Sequence, residues 1–103
     1  MLLKKEKIFD NIVAVSGTKK EAIRTISRLC AKQTTLDATQ LEKAFWKREE
    51  WDSTGCGEGI AIPHAIIKEI DEVQLFIVRF RYPIEWESFD DKKVDIAFAI
   101  IAP

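Results

Sequence analysis

The stretch STGCGEGIAIPHA, residues 53–65, holds three of the chain's four glycines at alternate positions, Gly55, Gly57 and Gly59, and runs into its only histidine, His64. Glycines so placed let backbone N–H groups turn into a concavity that side chains would block, and such nests bind anions. Thr54 adds a hydroxyl able to donate to the same anion. The apolar Ile60, Ala61 and Ile62 read as a short buried strand, and Pro63 fixes the backbone so that the imidazole is presented from a stiff strand end. A neutral imidazole is a good nucleophile near neutral pH, because its reference pKa is about 6.5. It can attack phosphorus and hold the phosphoryl group as a phosphoramidate, provided nearby donors stabilise the charge. From spacing alone, a structural histidine beside a turn is the commoner case. A Cys56–His64 nucleophile pair or metal site lacks a third ligand, and no Gly-Lys-Ser/Thr follows the glycines as a phosphate-loop would require.

Upstream of this stretch, two helices are expected. Thr18-x-x-Glu21 has the spacing of a capping box, and Ala22, Ile23, Ile26, Leu29 and Cys30 recur at threes and fours behind it. Cys30 reads as a small buried hydrophobe. Asp37-x-x-Gln40 repeats the capping spacing, with Leu41, Ala44 and Phe45 as the inward face of a second helix ending near Glu50. Three residues past Phe45 is Arg48, so an arginine is expected to close that apolar stripe. Its head either interacts with the helix C-terminus, which favours cations, or points at an anion beside the glycine loop.

Strands are expected near 12–15, 60–63, 73–82 and 94–101. VQLFIVRFRY (73–82) is rich in β-formers, and VDIAFAII (94–101) alternates Val94, Ile96, Phe98 and Ile100 with alanines where a helix could approach. Between them, the polar segment around Pro83 and Asp90–Asp91 reads as a connection. Mixed with two helices, these strands predict an α/β fold with a helix-flanked sheet in one domain, 1–103.

The 103 residues allow one modest core. Sixteen basic against seventeen acidic residues give a formal charge of −1, which leaves no large electrostatic footprint for nucleic acid or an anionic membrane. Two cysteines 26 residues apart, with no CxxC, argue against a disulfide framework or a structural metal and fit a reducing cytoplasm. Lysines interrupt the apolar N-terminal residues, and no later run approaches a membrane span.

REEWDSTGCGEGIAIPHA (48–65) resembles the active-site signature of the fructose/mannitol-type (type 2) IIA domains of the bacterial phosphoenolpyruvate-dependent sugar phosphotransferase system. That signature runs Arg-Glu, a short spacer, Ser-Thr-Gly, a variable pair, then Gly-Ile-Ala-Ile-Pro-His. SGTKKEAI (16–23) resembles the start of the family's first helix, and YPIEWESFDDKKVDIAFAIIAP (82–103) its Pro-Ile-x-Trp segment and the strand ending in Ala-Pro. The resemblance implies a mixed β-sheet with helices on both faces and a phosphocarrier without metal or organic cofactor. His64 would take a phosphoryl group from the histidine-containing phosphocarrier protein and pass it to a IIB cysteine, with Arg48 and Thr54 at the family's active-site arginine and threonine. The alternatives are a regulatory IIA-like domain, nitrogen-type or linked to a transcriptional regulator, and an inactive interaction module. The family domain continues past this point into a segment carrying a second active-site histidine. The C-terminal portion of the sandwich is therefore expected to be missing, leaving an uncovered apolar sheet face that favours a homo-oligomer or a partner that completes the fold.

Overall fold

The computed structural model describes residues 7–103. Both helices form where the capping residues place them. Thr18 accepts a hydrogen bond from Glu21 N (3.3 Å) ahead of α1 (Lys19–Lys32), and Asp37 accepts one from Gln40 N (3.0 Å) ahead of α2 (Ala38–Glu49). Neither capping box closes. The Glu21 carboxylate accepts from Arg24 and the Gln40 amide donates to Glu69 instead of reaching back. From α1, Ala22, Ile23, Ile26 and Cys30 are buried, and burial pushes the Cys30 thiol up to about 12.

Six strands form one mixed sheet. β1 (Ile8–Ile12) lies parallel to β5 (Gln74–Ile84), and β5 lies antiparallel to β6 (Val94–Ala102). The far side of β6 is shared by two short strands, β3 (Ile60–Ala61) and β4 (His64–Ile66), both parallel to it. β2 (Gly55–Gly57) pairs antiparallel with β3. The expected first strand, 12–15, is displaced towards the N-terminus. Gly17 adopts φ 67° and its N–H donates to Ala14 O (2.9 Å), so the chain is already turning where Val13 and Val15 suggest a strand. β5 runs further than expected and includes Pro83. That proline lies where the ladder with β6 slips register, so the missing N–H is not called on.

The register sorts the sheet into two unlike faces. Phe76 pairs with Ala99, Val78 with Ala97, Ala97 with Ala61 and Ile101 with Ala65, and every one of these is fully buried with Leu41 and Phe45 of α2 and the α1 stripe. Small side chains on β3, β4 and β6 let the helices come close, as the alanines of 94–101 suggest. The opposite face carries Leu75 with Ile100, Ile77 with Phe98, and Ile60 with Ile96, all only partly buried and none packed on the helix-side core. α1 and α2 pack on each other, and both lie on the first face, where the resemblance implies helices on both. Among the described residues, the second face is open.

Candidate functional site

His64 does not end the strand before it; it opens a new one. Pro63 interrupts the ladder between β3 and β4, and its carbonyl accepts the Ile100 N–H at 2.9 Å, which fixes the backbone just before the imidazole. On the upstream side, Ile62 N donates to Thr54 O (3.0 Å), tying this strand to the loop that leaves α2. His64 is half-buried. Burial holds its imidazole below the ordinary 6.5, the Arg48 guanidinium pushes the same way, and the Glu49 carboxylate opposes them. The neutral, nucleophilic form is therefore favoured.

Arg48 lies in the last turn of α2. Its Nη1 donates to Asp52 O (2.7 Å), and its guanidinium stacks over the Trp51 ring at 5.6 Å. Arg48 thereby ties the segment just past the helix end to α2, and its fork carries further N–H donors. It does not close the apolar stripe. The buried positions of α2 are Leu41, Phe45 and Glu49, so a glutamate occupies the place expected for the arginine.

Glu49 is the residue that sequence reasoning passed over. Its Oε1 accepts from Thr54 N (2.8 Å) and Trp86 Nε1 (3.0 Å) and meets Lys19 Nζ (2.8 Å), while Oε2 accepts from the Thr54 hydroxyl (2.6 Å). Burial alone would raise this carboxyl; the bonds from Lys19 and Thr54 and the lysine's charge outweigh it and hold it below its ordinary 4.5. The signal was present, because four-residue steps from Leu41 through Phe45 land on an acid at a core position. The Thr54 proton is committed to Glu49, so in this arrangement the hydroxyl offers an incoming anion lone pairs and no donor.

The glycines are placed by packing and turn geometry. A Cβ at Gly55 would stand 2.1 Å from the Glu87 carbonyl oxygen, and one at Gly57 2.6 Å from the Phe89 ring. Gly57, Glu58 and Gly59 all have positive φ, and the concavity expected to bind an anion receives one from the chain itself: Glu58 N donates to Asp90 Oδ2 at 2.8 Å. Cys56 is exposed, with its thiol on Thr54 O. Beside the site, Ala44, Lys47, Arg48, Trp51, Ile66 and Lys68 line an open groove of about 710 Å³, with Trp51 84% and Ile66 61% exposed. Among the described residues, no three His, Cys, Asp or Glu side chains converge as metal ligands, and no helix is long and apolar enough to cross a membrane.

The site thus joins an imidazole whose proton affinity is lowered, a guanidinium at the end of α2 and an open groove lined by Arg48, Trp51 and Ile66. The chain belongs to the EIIA 2 family of the phosphoenolpyruvate-dependent sugar phosphotransferase system, whose sequence pattern matches residues 1–103. It is 40% identical over 88 residues to the nitrogen regulatory protein of Escherichia coli (strain K12), a match that covers 84% of this chain and 53% of the relative. The chain spans about half the length of the curated relatives it matches first. Its fold is similar to that of the nitrogen regulatory protein IIA-Ntr from Neisseria meningitidis (TM-score 0.81, 27% identity, 93% of this chain and 64% of that one). It is also similar in fold to mannitol IIA from Escherichia coli (TM-score 0.80, 24% identity, 99% and 72%). The same mannitol IIA in complex with phosphorylated IIB gives a TM-score of 0.79 at 23% identity over 98% and 70% of the two chains.

Proposed function

We propose that this chain is a phosphoryl-accepting regulatory domain of the nitrogen type, in which phosphorylation of His64 changes what the domain binds. The observation that carries the reading is His64 itself: an imidazole whose proton affinity is lowered by burial and by Arg48, on a backbone fixed by the bonds of Ile62 and Pro63 just before it. The unprotonated ring nitrogen attacks phosphorus, a new N–P bond forms, and the donor's N–P bond breaks with its electron pair returning to the donor imidazole. Arg48 meets the transferred charge. Thr54, Gly55, Gly57 and Gly59 serve by holding the hairpin that precedes the histidine, and the Trp51–Ile66 groove seats the histidine-containing phosphocarrier protein that donates. Identity of 40% to a nitrogen regulatory protein supports the regulatory role over transport.

The second reading is a sugar phosphocarrier that passes the group on to a IIB cysteine. The family's description and the structural likeness to mannitol IIA, which was solved with phosphorylated IIB, favour it. Incubation with phosphoenolpyruvate, enzyme I and the phosphocarrier protein, read by intact mass at neutral pH, is expected to show one added phosphoryl group that is lost in His64→Ala. Absence of that gain in a folded chain would refute phosphoryl acceptance. Rapid onward transfer to a IIB domain would replace the regulatory reading with the transport one.

A further inference from the structure

Glu49 is buried, charged and fully satisfied, and its bonds connect parts of the chain that carry the two functional side chains. It grips Thr54 by both the backbone N–H and the hydroxyl; Thr54 O in turn holds Ile62 N–H, two residues before His64. The residue preceding Glu49 is Arg48, at the same helix end. One carboxylate therefore sets the spacing between the helix that brings the guanidinium and the strand that brings the imidazole. Two further elements are drawn in: Lys19 from the first turn of α1, its ammonium 6.0 Å from the Trp46 ring centroid and 5.7 Å from that of Trp86, and Trp86 itself from the segment after β5.

We infer that Glu49 is a positioning residue for phosphoryl transfer at His64, holding Arg48 and His64 in register through Thr54. The inference rests on the phosphoryl-acceptor reading above. Near-attack geometry is sensitive to displacements on the order of 1 Å, which can cost about 100-fold in rate. A carboxylate that fixes the loop by two short bonds, on the residue adjacent to the arginine, is placed to control such a displacement. Its charge also reaches His64, where it acts against burial and Arg48.

The test is Glu49→Gln, which keeps the shape and removes the charge, measured in two ways. The single-turnover rate of phosphoryl gain from the phosphorylated phosphocarrier protein is expected to fall about 10- to 100-fold at saturating donor. Half-saturation is expected to change less than the rate, because Glu49 itself does not line the docking groove. In parallel, the His64 midpoint followed by NMR is expected to move lower than in the wild-type chain. Labelling as fast as wild type overturns the inference whatever the midpoint does. If Glu49→Gln does not fold, Thr54→Val keeps the carboxylate and cuts one bond; slower transfer at an unchanged donor half-saturation supports the inference, and unchanged transfer overturns it. A wild-type chain that accepts no phosphoryl group overturns the acceptor reading and the transfer role with it. The titration then still decides whether Glu49 governs His64.

Discussion

At the scale of single residues, the direction of the His64 shift sets a pH dependence. Its proton affinity is reduced by burial and by Arg48, so the acceptor form persists to lower pH than in an exposed histidine. The initial rate of phosphoryl acceptance should be flat above the ordinary 6.5 and half-maximal somewhere below it, measured at constant donor concentration. The same shift has a stability consequence. Because the folded pKa lies below the unfolded one, the contribution of His64 is intact above 6.5 and is lost as pH falls through the lower folded value. Glycine substitutions make a second prediction. Gly17→Ala meets no atom closer than 3.8 Å and pays only for its left-handed backbone, about 1–2 kcal/mol. Gly55→Ala drives a Cβ into the Glu87 carbonyl and should cost about 3 kcal/mol or more by urea denaturation. Equal losses at the two positions would contradict the packing role of Gly55. The burial of Cys30 was legible in sequence because its place on the helix stripe is local, whereas the same spacing put Arg48 where Glu49 is buried. The Glu49 network was not legible, since Lys19 and Trp86 reach it from residues 30 and 37 positions away.

Elements differ in how far their own residues decide them. The helices were legible nearly to the residue because cap and stripe are local; Thr18→Ala is accordingly expected to cost about 1 kcal/mol through loss of the bond to Glu21 N, seen as a lower denaturation midpoint at unchanged slope. An unchanged midpoint would mean that tertiary packing alone holds the start of α1. The glycine stretch shows the opposite case. Alternating glycines read in sequence as an anion nest, and their placement is decided by Glu87, Phe89 and Asp90, which close on them from the β5–β6 connection. Local pattern also missed the division of 60–66 into β3 and β4, because the break is defined by pairing with β6.

For the molecule as a whole, the open sheet face is the feature with the most direct solution behaviour. Among the described residues its three rows, Leu75–Ile100, Ile77–Phe98 with Ile8, and Ile60–Ile96–Arg79, run across strands about 4.8 Å apart with a two-residue repeat of about 6.7 Å, a patch roughly 20 Å on a side. Arg79 is already paired with Asp10 at 3.2 Å, so the patch faces outward without an uncompensated cation in that row. A second copy, packed sheet to sheet, fits this flat apolar surface, and its area belongs to the weaker class of interfaces. Sedimentation velocity should therefore show concentration-dependent dimerisation that Phe98→Lys abolishes. A monomer at every concentration would contradict it.

β6 carries none of the functional side chains proposed for the site, yet β3, β4 and β5 all pair with it. On a chain emerging from the ribosome, α1 and α2 can form from neighbouring residues, whereas His64 has no strand to lie against until Val94–Ala102 has been made. Strand order thus acts as a clock: His64 is encoded well before Val94–Ala102, the segment that aligns it, and it waits unpaired on the nascent chain until that strand arrives.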